Sequence, residues 1–350
     1  MIYLDYAATT KPSPAAIAAL ERSFEFFGNP SSLHKAGIAA EAEMSNARAA
    51  IAKIIGAKTA EIYFTASGTE ANNLAIFGGA KKHKGRKIAT SQFEHSSVAK
   101  PLAQLAAKGD FDICYDEDYN EAALVTVAHV ESNTGEIRDI YRIGQAVKKA
   151  NPATLFHVDA AQSFCKLPIN VNSMNIDLLT LSAHKVGGLK GLGALYVRSG
   201  ISLTPQIYGG GQEQGLRSGT ENTHGIMAFA ASANDFWANS TAHHAHVSGL
   251  KACFLEIMDE AGGIGISING GGSPYILSLS IEGVKAHILL NALSAEGVYV
   301  STGSACSTKK QHKAGDEAIR LSFAPETTFE EIETAKEKFL KCIKQLRPKI

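Results

Sequence analysis

The sequence predicts an α/β protein, a mostly parallel central sheet sandwiched by helices, with a smaller α+β C-terminal domain. Three observations predict it. Short apolar runs alternate with 3.6-periodic helical stretches from about residue 61 to 198. Four of those runs stop abruptly in polar clusters, as strands do at the ligand-binding edge of such sheets. After Gly209-Gly210-Gly211 the texture changes to long helical stretches set apart from a few strands.

Tyr3 to Thr10 is extended and limited by Pro12 and Pro14, and a helix follows to about Phe27, where Gly28-Asn29-Pro30 breaks it. Residues 31–55 are alanine-rich and 3.6-periodic, hence helical, and the helix closes at Gly56. Glu61–Thr65 is a strand, and Ser67-Gly68-Thr69-Glu70 opens a helix through Phe77. Strands follow at Lys87–Ser91, Asp112–Tyr115, Ala123–Val130, Leu155–Val158, Asp177–Ser182 and Leu192–Arg198. Helices are expected at Val98–Ala107 and Ile140–Ala150, and one long helical stretch over Thr223–Ala261. Strands at Tyr275–Ile281 and Ala318–Ser322, a helix near His287–Ala295, a glycine-rich loop over 301–308 and a final helix from Thr328 complete the chain. The expected division is a large domain over 15–240 and a small one made of 1–14 and 241–350.

Composition narrows the function. Lys plus Arg equals Asp plus Glu, 34 each, so no global field points to nucleic acid or an anionic membrane. No apolar run approaches the roughly 20 residues of a membrane span, and Met1 to Thr10 lacks the features of a signal peptide. The five cysteines are scattered without CxxC pairs, which suits a cytoplasmic protein and argues against a disulfide framework or a zinc site.

The polar strand ends carry the chemistry. Lys185 ends the apolar run Asp177–Ser182, where desolvation can depress an amine enough to hold an aldehyde as a Schiff base. Asp159 follows Leu-Phe-His-Val, and an acid at the end of a buried strand needs a hydrogen-bonding or cationic partner such as a pyridinium N–H. Gly68-Thr69 stands at a helix N-terminus, which favours phosphate, although Ser-Gly-Thr-Glu is equally a capping box. His95 offers a flat base beyond another strand. Together they supply the tether, ring-nitrogen partner, phosphate anchor and ring-face contact of a pyridoxal 5'-phosphate site.

These motifs resemble those of NifS/IscS-like cysteine desulfurases, within the class V aminotransferase group of fold-type I pyridoxal-phosphate enzymes. The resemblance runs over nearly the whole chain. It includes Tyr3-Leu4-Asp5-Tyr6-Ala7-Ala8-Thr9-Thr10, Asn29-Pro30-Ser31-Ser32-Leu33-His34 and Thr65-Ala66-Ser67-Gly68-Thr69-Glu70-Ala71-Asn72-Asn73. It continues through Glu94-His95, His157-Val158-Asp159-Ala160-Ala161-Gln162, Ser182-Ala183-His184-Lys185, Arg217-Ser218-Gly219-Thr220 and Ser301-Thr302-Gly303-Ser304-Ala305-Cys306. It implies that Lys185 bonds the cofactor aldehyde, Asp159 pairs with the ring nitrogen, His95 stacks on the ring and acts in acid/base steps, and Gln162 meets the phenolic oxygen. Thr69, Ser182 and His184 would hold the phosphate, with Thr220 reaching it from the neighbouring subunit of a homodimer. Arg320 would grip the carboxylate of L-cysteine, and Cys306 would take its sulfur as a persulfide for iron–sulfur cluster or other cofactor synthesis. Lys309, Lys310 and Lys313 nearby would favour the Cys306 thiolate. A sulfur-acceptor protein is the implied further partner.

The chain departs from the family pattern in three places. Glu131-Ser132-Asn133 replaces Asn-Asn-Glu, so Ser132 or Asn133 must make the contact of the usual asparagine. Only fourteen positions separate Cys306 from Arg320, a short basic loop. Gln214 stands where arginine is common. Two other functions are compatible with the motifs: a selenocysteine lyase or other class V lyase or aminotransferase, and a non-catalytic partner-binding protein on the same fold.

Overall fold

The Leu-, Val- and Ile-rich runs build a seven-stranded sheet in the computed structural model, which describes residues 1–80, 86–261, 264–303 and 318–347. Its strands are β1 (Ile62–Thr65), β2 (Lys87–Thr90), β3 (Asp112–Cys114), β4 (Ala122–Ala128), β5 (Leu155–Asp159), β6 (Leu178–Ser182) and β7 (Gly193–Val197). In space they run β1-β7-β6-β5-β4-β2-β3. Strands β2 to β6 are mutually parallel, whereas β7 is antiparallel to both β6 and β1. The expectation of a mostly parallel sheet is met. Strands β4 to β7 are buried along their whole length, as a sheet covered on both faces requires.

Its helices are α1 (Pro14–Ser23), α2 (Lys35–Ile55), α3 (Gly68–Ala80), α4 (Ser96–Ala107), α5 (Ile140–Ala150) and α6 (Thr223–Ala238); α2 to α6 cover the sheet and α1 packs on α6. Alternate strand residues point to opposite faces. Phe156, Val158, Leu179, Leu181, Ala194 and Tyr196 join one core with residues of α2, α5 and α6. Leu124, Leu155, Leu178 and Leu195 join a second with residues of α3 and α4. Burying a side chain such as Phe156 contributes roughly 1.5–3 kcal/mol, so these two layers drive the fold.

The α3/α4 face changes character along the strands. Beyond Leu124, Leu155 and Leu178, the next residues with the same parity are Thr126, His157 and Thr180, then Ala128, Asp159 and Ser182. His157 lies fully buried between Thr126 Oγ1, 2.7 Å from its Nδ1, and Thr180 Oγ1, 3.0 Å from its Nε2. Burial pushes its pKa down to about 4 against the pull of Asp159, so it is neutral near pH 7. The apolar half of each strand builds the core, and the polar half leads to the strand ends.

The chain divides into two compact units, one of Thr10–His129 and Arg138–Ala238, the other of Met1–Thr9, Val130–Ile137 and Asn239–Ile350. The second contains a four-stranded antiparallel sheet with β8 (Ile266–Ile268), β9 (Ile276–Ile281), β10 (Ser301–Thr302) and β11 (Ala318–Ser322), in the order β10-β11-β9-β8. Its main helices are α7 (Ser240–Leu255), α8 (Ala286–Ala295) and α9 (Phe329–Leu346), and Ile2–Tyr3 pairs in parallel with Val298–Tyr299.

Two sequence expectations shift. The stretch Thr223–Ala261 is not one helix: it breaks at Asn239, whose backbone leaves helical geometry where one unit gives way to the other. The helix expected from Ser31 begins at Lys35, because Asn29 holds residues 29–32 in a turn. Its Oδ1 accepts from Ser31 N and its carbonyl from Ser32 N, both at 2.9 Å. Gly56 closes that helix, as expected, and does so in the left-handed conformation. No helix among the described residues is long and apolar enough to cross a membrane.

Candidate active site

In the larger unit the C-terminal ends of β5 and β6 bring the predicted residues together. Asp159 is the last residue of β5, and Lys185 closes a short turn directly after β6. Thr10 fixes that turn. Its N–H and Oγ1–H both donate to the His184 carbonyl, at 2.9 and 3.0 Å, and its Oγ1 accepts from Gly187 N at 2.9 Å. Burial, with the charges of Lys185, Lys190 and Lys166, pushes the His184 pKa down to about 4, so its ring is neutral near pH 7.

Asp159 is buried, and its oxygens are held by neutral donors. Oδ1 accepts from Ala161 N at 2.9 Å and Oδ2 from Asn72 Nδ2 at 2.8 Å. Neutral donors stabilise the carboxylate without cancelling its charge, which leaves it able to hold a cationic ring N–H. His95 caps the N-terminus of α4 and is exposed. Desolvation depresses its pKa, with Asp159 opposing and Lys185 assisting, so both charges lie within electrostatic reach of the His95 ring. Gln162 lies buried in the turn that follows β5.

Helix α3 starts where β1 ends. Ser67 Oγ accepts from Glu70 N, and Glu70 Oε2 accepts from Ala66 N, both at 3.1 Å, so the local capping interactions are present. Its first turn also packs closely on β6. A Cβ on Gly68 would stand 3.3 Å from Ser182 Cβ. The approach depends on Gly193 in β7, where an added Cβ would fall 2.6 Å from the Ser67 carbonyl carbon and 2.8 Å from Gly68 N. The α3 N-terminus and the Ser182 side chain are thereby neighbours, a donor set suited to a phosphate. Thr220 is exposed on a loop braced elsewhere. Arg217 Nε pairs with Glu70 Oε1 at 2.9 Å, and Arg48 takes both oxygens of Glu213 at 2.7 and 2.8 Å. The donor set of this unit fits pyridoxal phosphate: an amine, a charged acid, a helix N-terminus with a hydroxyl, and a flat ring.

In the smaller unit Arg320 lies on β11 and is nearly buried. Nη2 pairs with Asp5 Oδ1 and Nη1 donates to the Ser132 carbonyl, both at 2.9 Å. Its Nε–H is buried without a partner among the described residues, a donor suited to a carboxylate. The Ser132 contact uses the backbone, so it does not depend on the side chain at that position. Asn133 Nδ2 donates to Glu131 Oε1 at 3.1 Å, within a turn in which Glu131 also accepts from Asn133 N, Thr134 N and Thr134 Oγ1. Cys306 and the lysines after it lie outside the described residues.

Asn72 and Thr10 stand in family motifs but receive no role from the sequence, and Ser97 escapes it altogether. Asn72 and Ser97 had a signal: each is a polar residue within the buried stripe of a helix, beside Ala71 and Leu74 or Val98 and Leu102. The role of Thr10 had none, because its partner is 174 residues away.

A helix-covered, mostly parallel sheet with an amine, an acid and a helix N-terminus at its strand ends defines an α/β scaffold of the transferase type. The chain belongs to the class-V aminotransferase family, whose model matches residues 2–334. It is 34% identical to a cysteine desulfurase IscS of Clostridium botulinum, over 99% of this chain and 95% of that one. Among solved structures it is similar to a NifS-like protein, with a TM-score of 0.91 and 30% identity over 99% of this chain and all of that one. It is also similar to SspA in complex with cysteine, with a TM-score of 0.79 and 32% identity over 94% of this chain and all of that one.

Proposed function

We propose that the protein is a pyridoxal-phosphate-dependent cysteine desulfurase that converts L-cysteine to L-alanine and holds the sulfur on Cys306. The observation that carries this reading is the grouping of Lys185, a neutrally solvated Asp159 and His95 at adjoining strand ends. Family membership and the desulfurase names of its relatives support it.

When bound, the cofactor supplies an aldehyde for an amine and an electron-withdrawing ring that weakens bonds at the substrate α-carbon. Lys185 Nζ is the amine that bonds the aldehyde and, once displaced by the substrate amine, the base that moves the α-proton. Asp159 holds a proton on the ring nitrogen. Gln162 donates to the phenolic oxygen. Gly68, Thr69, Ser182 and His184 hold the phosphate, and Thr220 serves the site of a second subunit. Arg320 holds the substrate carboxylate, with Asn133 assigned to the substrate beside it.

The Cys306 thiolate attacks the substrate sulfur. The new S–S bond forms as the Cβ–S bond breaks, its electron pair goes to Cβ, and two protons complete the alanine methyl group and the persulfide. Sulfur is oxidised and Cβ reduced, so no external redox partner is needed.

The test is cysteine turnover by the full-length protein, with mass detection of one added sulfur on Cys306. Cys306→Ala is expected to abolish sulfide release while the visible absorbance of lysine-bound pyridoxal remains. Alanine formed without the adduct would overturn the reading, as would a protein whose absorbance does not depend on Lys185.

A further inference from the structure

Asn72 lies on the buried face of α3 and is 1% exposed. Its Nδ2 donates to Asp159 Oδ2 and to Ser97 Oγ, both at 2.8 Å. An ionised carboxylate only accepts hydrogen bonds, so the NH2 side of the amide must face Asp159. That orientation leaves Asn72 Oδ1 buried without a partner among the described residues. A buried acceptor left unpaired is unfavourable and points to a functional constraint.

Ser97 Oγ accepts from Asn72, and its hydroxyl hydrogen can go to His95 Nδ1, 2.7 Å away. The Ser97 backbone N–H is directed at the same nitrogen from 3.2 Å. A backbone N–H can only donate, so Nδ1 must be an acceptor. The neutral ring then carries its proton on Nε2.

We infer that Asn72 and Ser97 are positioning residues that hold His95 as the Nε2–H tautomer, so that His95 serves the site as a hydrogen-bond donor and not as the base. Its place at the reacting centre rests on the function proposed above, whereas the tautomer rests only on the Asp159–Asn72–Ser97–His95 chain. With Nδ1 occupied and Nε2 protonated, neutral His95 has no in-plane lone pair for the proton of a substrate thiol. That proton must go to another group, and the Lys185 amine belongs to the same cluster. Two charges act on the ring: Asp159 favours the imidazolium and Lys185 opposes it. The two donors of Ser97 add to the side of the neutral ring.

The experiment uses full-length protein as purified, labelled with 15N-histidine, and long-range proton–nitrogen NMR of the imidazoles. His95→Gln identifies the ring among the twelve histidines. The expected parent signal is an unprotonated Nδ1 with hydrogen on Nε2. Ser97→Ala is expected to raise the His95 pKa by roughly one pH unit and to populate the Nδ1–H form. Ser97→Thr, which keeps the hydroxyl, restores the parent signals. Asn72→Leu shifts the ring in the same direction as Ser97→Ala. A parent ring protonated on Nδ1, or a folded Ser97→Ala protein with an unchanged ring, overturns the inference. Visible absorbance of the same samples tests the cofactor separately. Its absence beside an intact Nε2–H signal overturns the donor role through the proposed function and leaves the tautomer standing.

Discussion

Replacing Glu94 by glutamine is expected to make the larger unit more stable at neutral and alkaline pH. Glu94 is buried. Its Oε1 accepts from Ser91 Oγ at 2.6 Å and Ala128 N at 3.1 Å, with Arg138 Nη1 3.5 Å away, while Oε2 is buried without a partner. Burial raises its pKa from 4.5 to about 7, against the opposing pull of Ser91 and Arg138. The folded state therefore binds this proton more tightly than the unfolded one, and stability is lost as pH rises from the unfolded value through about 7. At about 1.36 kcal/mol per pH unit the loss is on the order of 3 kcal/mol.

Glutamine keeps an acceptor at Oε1 and places an amide where the protonated carboxyl stands. The Glu94→Gln and parent proteins should unfold at similar urea concentrations near about pH 4, and the variant should gain progressively up to about pH 8. The assay is urea unfolding at a series of pH values, comparing midpoints at matched slopes. A difference that stays flat over that range would refute the reasoning, because burial would then not hold the proton on Glu94.

Two further outcomes follow from packing and charge. Gly193→Ala drives a Cβ into the Ser67–Gly68 backbone. It should destabilise by about 1–3 kcal/mol and weaken retention of the pyridoxal absorbance, which dialysis followed by spectroscopy would detect; a fully retained absorbance would dissociate that close approach from phosphate binding. Asp5→Ala leaves the nearly buried Arg320 without its anion. It should cost about 2–3 kcal/mol, read as a lower urea midpoint, and an unchanged midpoint would mean that the pair adds nothing.

The strand ends were legible because alternation has a period of two: Leu-Phe-His-Val-Asp and Leu-Leu-Thr-Leu-Ser show where an apolar face turns polar. The parallel order followed from the alternation of strands with helices. The break at Asn239 was hidden because helical periodicity continues on both sides of it, and only the parting of the two units requires it. The short strands Ile266–Ile268 and Ser301–Thr302 escaped because two or three residues carry no measurable period. The Asn72–Ser97 chain joins α3, α4 and β5, and no local pattern records a hydrogen bond across 87 residues. Ser132 illustrates the converse. A side chain that breaks the family pattern sits where Arg320 contacts the backbone carbonyl, which any residue supplies.

The graded face of the sheet separates two kinds of tolerance. Each step of two residues along a strand moves about 6.6 Å toward the ligand-binding edge. Leu155, His157 and Asp159 therefore read as successive rungs from scaffold to reactivity on a single strand. A library that varies the last rung, at Ala128, Asp159 and Ser182, acts on the groups proposed to hold the cofactor while the foundation stays intact. One that varies the first, at Leu124, Leu155 and Leu178, spends its diversity on whether the chain folds at all.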